Sequence, residues 1–219
     1  MFLLQKVIFI SSKLNTMKKL FLLFFISVIY LQGIAQTNPR PTASRFYNNK
    51  LATFGIKAGD SLLYKADFKD GSYAFILTVS EYGDSIKAAY EMPLNGKNLN
   101  LYVSAEEAAK STSYQLSFTD SLATFTNRST LWLSKKNYRE LVAVKETSMD
   151  FGNGSETFIR KSVATRTINL KGKEKIVTVY KISNTNQEHP LNFDVLTDLN
   201  NPLIVYINNG CVVTLKEVR

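Results

Sequence analysis

Asp70-Gly71-Ser72-Tyr73-Ala74-Phe75-Ile76-Leu77-Thr78-Val79 is the stretch that decides the fold class. It opens on an Asp-Gly turn signal and continues as an aromatic and β-branched run. Tyr73, Phe75, Leu77 and Val79 fall on one face, and Ala74, Ile76 and Thr78 on the other. A period of two is the period of a strand. Working outward, further turn signals stand at Gly83-Asp84, Asn95-Gly96, Asn153-Gly154, Lys171-Gly172-Lys173 and Asn209-Gly210. Asn-Gly and Asp-Gly suit type I′ turns, whose two central residues both need positive φ. Runs rich in Val, Ile, Thr, Tyr and Phe between such signals predict an antiparallel meander. Strands are expected near 61–68, 72–81, 85–92, 97–103, 113–118, 122–126, 148–151, 156–161, 165–170, 175–183, 191–196, 203–207 and 211–217. In the run 191–195, Leu191, Phe193 and Val195 form an apolar face and Asn192 and Asp194 a polar one, which predicts a half-buried strand.

Two short helices interrupt the strands. Ser104-Ala105-Glu106-Glu107 is a capping box that predicts a helix over 105–111. A second helix is expected after Ser134, with Leu133 and Tyr138 placed as a hydrophobic staple and Tyr138, Leu141 and Val142 as its apolar stripe. The expected fold is therefore mainly β: a single curved antiparallel sheet, as a half-barrel or open barrel, with two short helices.

Composition narrows the function. The chain has 219 residues, 45% hydrophobic and 21% charged, with 14 Phe, 11 Tyr and one Trp. These are globular proportions. One Cys excludes a disulfide framework and one His excludes a multi-histidine metal site. No metal and no cofactor is implied.

The N-terminus reads as an address. Met17-Lys18-Lys19, the apolar run Leu20 to Leu31, and the small residues Gly33 and Ala35 predict a secretory signal peptide cleaved after Ala35. The apolar run is shorter than the ~20 residues of a membrane span. Residues 1–16 read as an upstream extension of that 1–35 leader. Residues 36–45, with two prolines, predict a flexible arm, and 46–219 a single β-rich domain. Removing the leader takes away four Lys and no acid, leaving 23 basic against 18 acidic side chains, a net charge of +5. No dense basic tract with interleaved aromatics is present, so nucleic acid is not an expected partner. The expected location is outside the cytoplasm, in the periplasm or at the cell surface. An integral membrane barrel is not expected, because two amphipathic helices break the strand series.

Catalytic motifs are missing. The chain has no phosphate-binding glycine loop, no nucleophile elbow and no zinc-protease helix motif. His189, in Gln187-Glu188-His189-Pro190, reads as a solvated loop residue. Cys211 reads as a small buried hydrophobe of low reactivity. Glu106 and Glu107 suit a helix N-terminus, and Asp194 and Asp198 suit a strand end. A glycosidase needs only two acids, so an acid-dependent glycan-acting enzyme is kept as the alternative function.

Three tripeptides share an Asp-Ser-aliphatic pattern: Asp60-Ser61-Leu62, Asp84-Ser85-Ile86 and Asp120-Ser121-Leu122. The pattern resembles the acceptor of the general O-glycosylation system of exported Bacteroidota proteins, which makes Ser61, Ser85 and Ser121 candidate O-glycan sites. The same tripeptide also suits a turn in which Asp bends the chain and Ser caps it. Asn127-Arg128-Ser129 and Asn153-Gly154-Ser155 match the N-glycan acceptor, which a bacterial-type signal makes irrelevant.

Three stretches carry a wider resemblance: Gly59-Asp60-Ser61-Leu62-Leu63-Tyr64, Thr130 to Leu141 (TLWLSKKNYREL), and Asn201-Pro202-Leu203-Ile204 with Leu215-Lys216-Glu217. They resemble a family of uncharacterised secreted Bacteroidota proteins, which supplies no catalytic residues. In element order the chain also resembles periplasmic lipoprotein-carrier-like half-barrels, in which helices lie in the concavity of a curved sheet. That likeness implies an exported envelope protein whose sheet holds an apolar small molecule or packs on an envelope protein. Ala105, Ala108 and Ala109 fill little volume, and the second helix has only about two turns. The helices are thus expected to seal the concavity incompletely, leaving an apolar cleft lined by Tyr64, Phe68, Tyr73, Phe75 and Tyr90.

Overall fold

The computed structural model describes residues 54–91, 98–115 and 128–219. The expected leader and arm over 1–45, the Asn95-Gly96 turn, the strand at 122–126 and Ser121 lie outside the described residues.

Ten strands form one sheet: β1 (Ser61–Phe68), β2 (Gly71–Tyr82), β3 (Ile86–Glu91), β4 (Asn98–Val103), β5 (Glu146–Asp150), β6 (Ser155–Leu170), β7 (Lys173–Asn184), β8 (Asn192–Leu196), β9 (Ile204–Asn208) and β10 (Val212–Val218). Their order is β4-β3-β2-β1-β10-β9-β8-β7-β6-β5. Strands adjacent in this order are sequence neighbours except at one seam, where the first strand pairs antiparallel with the last, and β4 and β5 stand at the two ends of the order. Ser61 and Arg219 exchange backbone hydrogen bonds of 3.1 and 2.9 Å at the end of that seam.

β10 has a divided second edge. Val212 to Thr214 pair with β9, whereas Glu217 and Val218 pair in parallel with Asn169 and Leu170 of β6. Strands β6 to β10 therefore curl into a partly closed ring. The ring is not a barrel, because β1 to β4 continue from β10 and β5 continues from β6.

This curl corrects two expectations. The strands expected at 156–161 and 165–170 are one 16-residue strand, β6, with a bulge between Arg160 and Ser162. A bulge absorbs an extra residue without ending the ladder, so the pause in alternation is not a turn. β8 exposes Asn192 as expected, but from Phe193 to Leu196 it is buried on both faces: Phe193 and Val195 are covered, and so are Asp194 and Leu196. The curled β6 supplies Arg166, whose Nε and Nη2 both lie 2.6 Å from Asp194 Oδ2. The same guanidinium lies 4.0 Å from the centre of the Tyr206 ring. A charge that local pattern assigns to solvent is buried because a residue 28 positions away neutralises it. The segment expected as a strand at 113–118 contributes, among the described residues, two isolated parallel bridges, Ser113 to Asp150 and Tyr114 to Ser129.

The main core lies on one face of the sheet. It combines Leu62, Tyr64, Phe75, Leu77 and Tyr90 of β1 to β3 with Phe158, Phe193, Val195 and Ile207. Each such side chain stabilises the fold by ~1.5–3 kcal/mol relative to exposure. Two helices cover part of this face. α1 (Ala105–Lys110) opens on the expected capping box: Glu107 N donates to Ser104 Oγ at 3.2 Å, and Ser104 N donates to Glu107 Oε2 at 2.8 Å. Its buried residue is the capping Glu107, while Ala105 and Ala109 stay exposed. α2 (Lys135–Ala143) is capped by Ser134, whose Oγ accepts from Asn137 N at 3.2 Å. It buries Asn137, Tyr138 and Leu141 and packs on β5 and β6, with α1 against it.

A buried polar network fixes α2. The Tyr114 hydroxyl donates to Asn137 Oδ1 at 2.8 Å and accepts from Ser134 N at 3.0 Å. Asn137 Nδ2 donates to Thr147 Oγ1 at 2.6 Å and to Ser148 O at 3.1 Å. Among the described residues no helix is long and apolar enough to cross a membrane.

Candidate functional site

Successive turns of a meander alternate between the two ends of its sheet, and here the two ends differ in chemistry. One end gathers the β2–β3, β6–β7 and β8–β9 connections together with the start of β1 and the end of β10. Long-range bonds tie it. Lys171 Nζ lies 3.0 Å from Asp60 Oδ1, with the Asp60 side chain 4% exposed. Asp60 Oδ2 also accepts from Lys57 N at 3.0 Å. The Tyr82 hydroxyl reaches Asn201 Oδ1 at 2.8 Å and Asn200 O at 2.9 Å, and Asn201 Nδ2 donates to Phe54 O at 2.7 Å. Leu133 N donates to Pro202 O and Ile204 N to Leu131 O, at 3.0 and 2.7 Å. The Tyr64 hydroxyl donates to Ile204 O at 2.9 Å. Burial pushes both the Tyr82 and Tyr64 phenols well above their usual range.

The opposite end gathers the turns 69–70, 151–154, 185–191 and 209–211, and a cleft of about 450 Å³ opens there. Phe151, Gly152 and Asn153 of the β5–β6 turn form one wall. Glu188 to Leu191 of the β7–β8 loop form the second, and Asn209 and Gly210 of the β9–β10 turn the third. Tyr114, Gln115 and Arg128 complete the lining. Phe151 stands on a stack of rings, 4.9 Å from Tyr114, 5.2 Å from Phe158 and 5.7 Å from Phe193. Burial pushes the Tyr114 phenol up to about 12, against the hydrogen bonds from Ser134.

The rim is held by short side chains that bond back to the backbone, as Asp and Asn do in turns. Asp150 Oδ1 accepts from Gly152 N and Gly154 N at 2.7 and 3.1 Å. Asn186 Oδ1 accepts from Glu188 N and His189 N at 2.9 and 3.3 Å. Asn208 Oδ1 accepts from Gly210 N at 3.2 Å. Asn184 bridges the loop: Nδ2 donates to His189 O at 2.8 Å and to Glu156 Oε2 at 2.6 Å, and Oδ1 accepts from Leu191 N at 2.9 Å. Gly152 and Gly210, at φ 107° and 98°, occupy a region that favours glycine. A rim fixed in advance loses little entropy on binding.

The five aromatics expected to line a cleft do come together, but as a chain of rings. Tyr64 stacks on Phe75 at 5.2 Å, and Phe75 meets Tyr90 at 5.1 Å and Tyr73 at 6.4 Å. Phe68 stacks on Tyr73 at 5.3 Å. Tyr64, Phe75 and Tyr90 are at most 2% exposed and belong to the core, whereas Phe68 is 47% exposed and Tyr73 half-buried. The chain of rings thus runs from the core to the end that carries the cleft. Cys211 lies beside both Asp67 and Tyr73 and directly follows the Asn209-Gly210 turn.

Cys211 is half-buried rather than buried. Partial burial and the neighbouring Asp67 carboxylate push its thiol up, so little thiolate forms at neutral pH. His189 is exposed on its loop and lines the cleft. Ser61 and Ser85 both sit at the tied end and are half-buried. The Ser61 hydroxyl is 3.2 Å from Thr78 Oγ1, and that of Ser85 donates to the Glu81 carboxylate. Among the described residues no cluster of His, Cys, Asp and Glu could hold a metal ion. Glu188 is the one carboxylate among the described lining residues. No protein-family model matches the chain, and no curated protein is significantly similar to it.

Proposed function

We propose that the chain is an exported cell-envelope protein that binds a ligand, without transforming it, at the open end of its sheet. The observation that carries this reading is the cleft of about 450 Å³ between three pinned turns, with Phe151 and Tyr114 stacked in its lining. Ligand clefts commonly fall between ~300 and 1,000 Å³ and combine apolar and aromatic side chains with placed polar groups. The mouth of a curled sheet is a common place for one. The leader-like sequence supports export. An acid-dependent hydrolysis needs two carboxyl groups flanking the bond. Among the described lining residues Glu188 is the one carboxylate, and Asp150 beneath the β5–β6 turn accepts from Gly152 N and Gly154 N. That favours binding over hydrolysis.

The test is native mass spectrometry of the mature protein purified without denaturant from cells that export it. A discrete bound species is expected, and it should be lost in Asn153→Trp, which fills the cleft from an exposed position. The melting temperature of that variant should stay unchanged. A protein with no bound species, or a species retained by Asn153→Trp, overturns the proposal.

A further inference from the structure

We infer that the ligand of this cleft is an uncharged polyhydroxylated molecule, a segment of a neutral glycan; the inference rests on the binding proposed above. The walls set opposite chemistries side by side. Arg128 brings a cation and Glu188 an anion, Asn153 and Asn209 bring amides, and Phe151 and Leu191 bring apolar surface. Each candidate ligand class can be weighed against that set.

An acyl chain would cover Arg128, Glu188 and the amides without replacing their hydrogen bonds to water, and an unsatisfied polar group costs ~1–3 kcal/mol. An anion would gain from Arg128 and lose to Glu188, and a cation the reverse. A hydroxyl suits every polar group present, because it donates one proton and accepts through two lone pairs. It donates to the Glu188 carboxylate, accepts from the Arg128 guanidinium, and does both with the Asn153 and Asn209 amides. Neighbouring hydroxyls on a sugar ring match the paired donor and acceptor of an amide. The C–H face of the same ring is apolar and fits Phe151 and Leu191. A peptide also carries amides, but its regular mode of recognition is strand addition at a sheet edge. This cleft is built from turns.

The experiment is two-dimensional amide NMR of the mature protein, titrated separately with maltohexaose, cellohexaose, chitohexaose, sodium decanoate and a neutral hexapeptide. At least one hexasaccharide should bind saturably and shift the amides of Asn153, His189 and Asn209. Its affinity should change less than twofold between 50 and 500 mM salt, because an uncharged ligand has no Coulomb attraction to screen. Asn153→Ala combined with Glu188→Gln, both at exposed positions, should weaken it tenfold or more while the remaining spectrum is unchanged.

Decanoate or peptide shifting those rim amides while the sugars do not would overturn the glycan inference and leave the binding cleft standing. A sugar that shifts amides elsewhere overturns the inference as well. If no probe moves the rim, and the natively purified protein carries no bound species, both proposals fall.

Discussion

The two ends of this sheet are built from the same kinds of turn residue and reach opposite results. At the tied end, side chains reach across the fold: Lys171 to Asp60, Tyr82 to Asn201, Asn201 to Phe54. At the open end, the turns are pinned mainly along their own loops, Asp150 to Gly152, Asn186 to Glu188 and Asn208 to Gly210, and the bonds from Asn184 and Asn186 to Glu156 join one loop to the β6 strand beside it without crossing the cleft. Long-range bonds draw separate segments together and close the space between them. Local bonds stiffen each turn by itself and leave the space open. Stability and binding are therefore expected to separate: changes at the tied end or in the ring reduce stability, and changes at the open end reduce binding.

The largest effect is expected inside the ring. Asp194→Ala leaves Arg166 without its carboxylate over the Tyr206 ring, and removing one partner of such a pair costs about 3 kcal/mol. The urea midpoint should fall accordingly. A fall below 0.5 kcal/mol would mean that the ring is not held as described.

Asp60→Ala should cost about 1–2 kcal/mol. It removes the partner of Lys57 N and a contact to Lys171, whose side chain is 49% exposed and therefore screened. Ligand binding at the far end should survive unchanged. Lost binding in a folded Asp60→Ala protein would break the separation of the two ends.

Alkaline pH sharpens the same contrast. The phenols of Tyr64, Tyr82 and Tyr90 are raised by burial, so the folded protein keeps their protons where an unfolded chain loses them near pH 10. The stability they contribute is complete below pH 10 and is lost as pH rises above it, by ~1.4 kcal/mol per unit for each phenol still protonated. Tyr73, half-buried at the open end, is raised by burial and by Cys211. In a spectrophotometric titration Tyr73→Phe should remove an earlier step than Tyr82→Phe does. The reverse order would contradict the assignment of the ends.

Gly210→Ala meets no atom within 4 Å, so its cost is the φ of 98° alone, about 1 kcal/mol. Because it distorts the rim, it should weaken the ligand more than it lowers the melting temperature. Phe68→Ala, at a side chain 47% exposed, should change stability least, by well under the ~3–5 kcal/mol of a buried Phe. A cooperative loss of structure there would show that Phe68 belongs to the core.

Much of the sheet was legible because its signals are local. Alternation in Tyr73 to Val79 marks β2, the turn dipeptides mark the hairpins, and Ser104 with Glu107 marks α1. Those same dipeptides sort the turns by end, with Asp70-Gly71, Asn153-Gly154 and Asn209-Gly210 on one side and Gly83-Asp84 and Lys171-Gly172 on the other. Gly59 to Tyr64, Thr130 to Leu141 and Asn201 to Ile204 meet at the tied end, through Tyr64 to Ile204 and Leu131 to Ile204. The Thr130 to Leu141 stretch also reaches Tyr114 in the cleft lining, through Ser134 and Asn137.

The ring was not legible, because Arg166 and Asp194 find each other only once β6 curls onto β10. The cleft was hidden for the same reason. Phe151, His189 and Asn209 are far apart in sequence and belong to three different turns, so His189 alone read as a solvated loop residue. The usable signal was the alternation of meander turns between the two ends, which places 151–154, 185–191 and 209–211 together. The aromatic pattern named Tyr64, Phe75 and Tyr90 as inner-face residues, and their rings meet one another in the core. It did not show how deeply each ring is buried, from Tyr64, Phe75 and Tyr90 at most 2% exposed to Phe68 at 47%.

The most direct test is a crystal structure of the mature protein purified without denaturant from cells that export it. Bound density is expected against Phe151, His189 and Asn209, with the tied end and the space around Tyr64, Phe75 and Tyr90 closed. Density between the sheet and the helices among those three rings, or at the Asp60 and Lys171 end, would contradict the assignment.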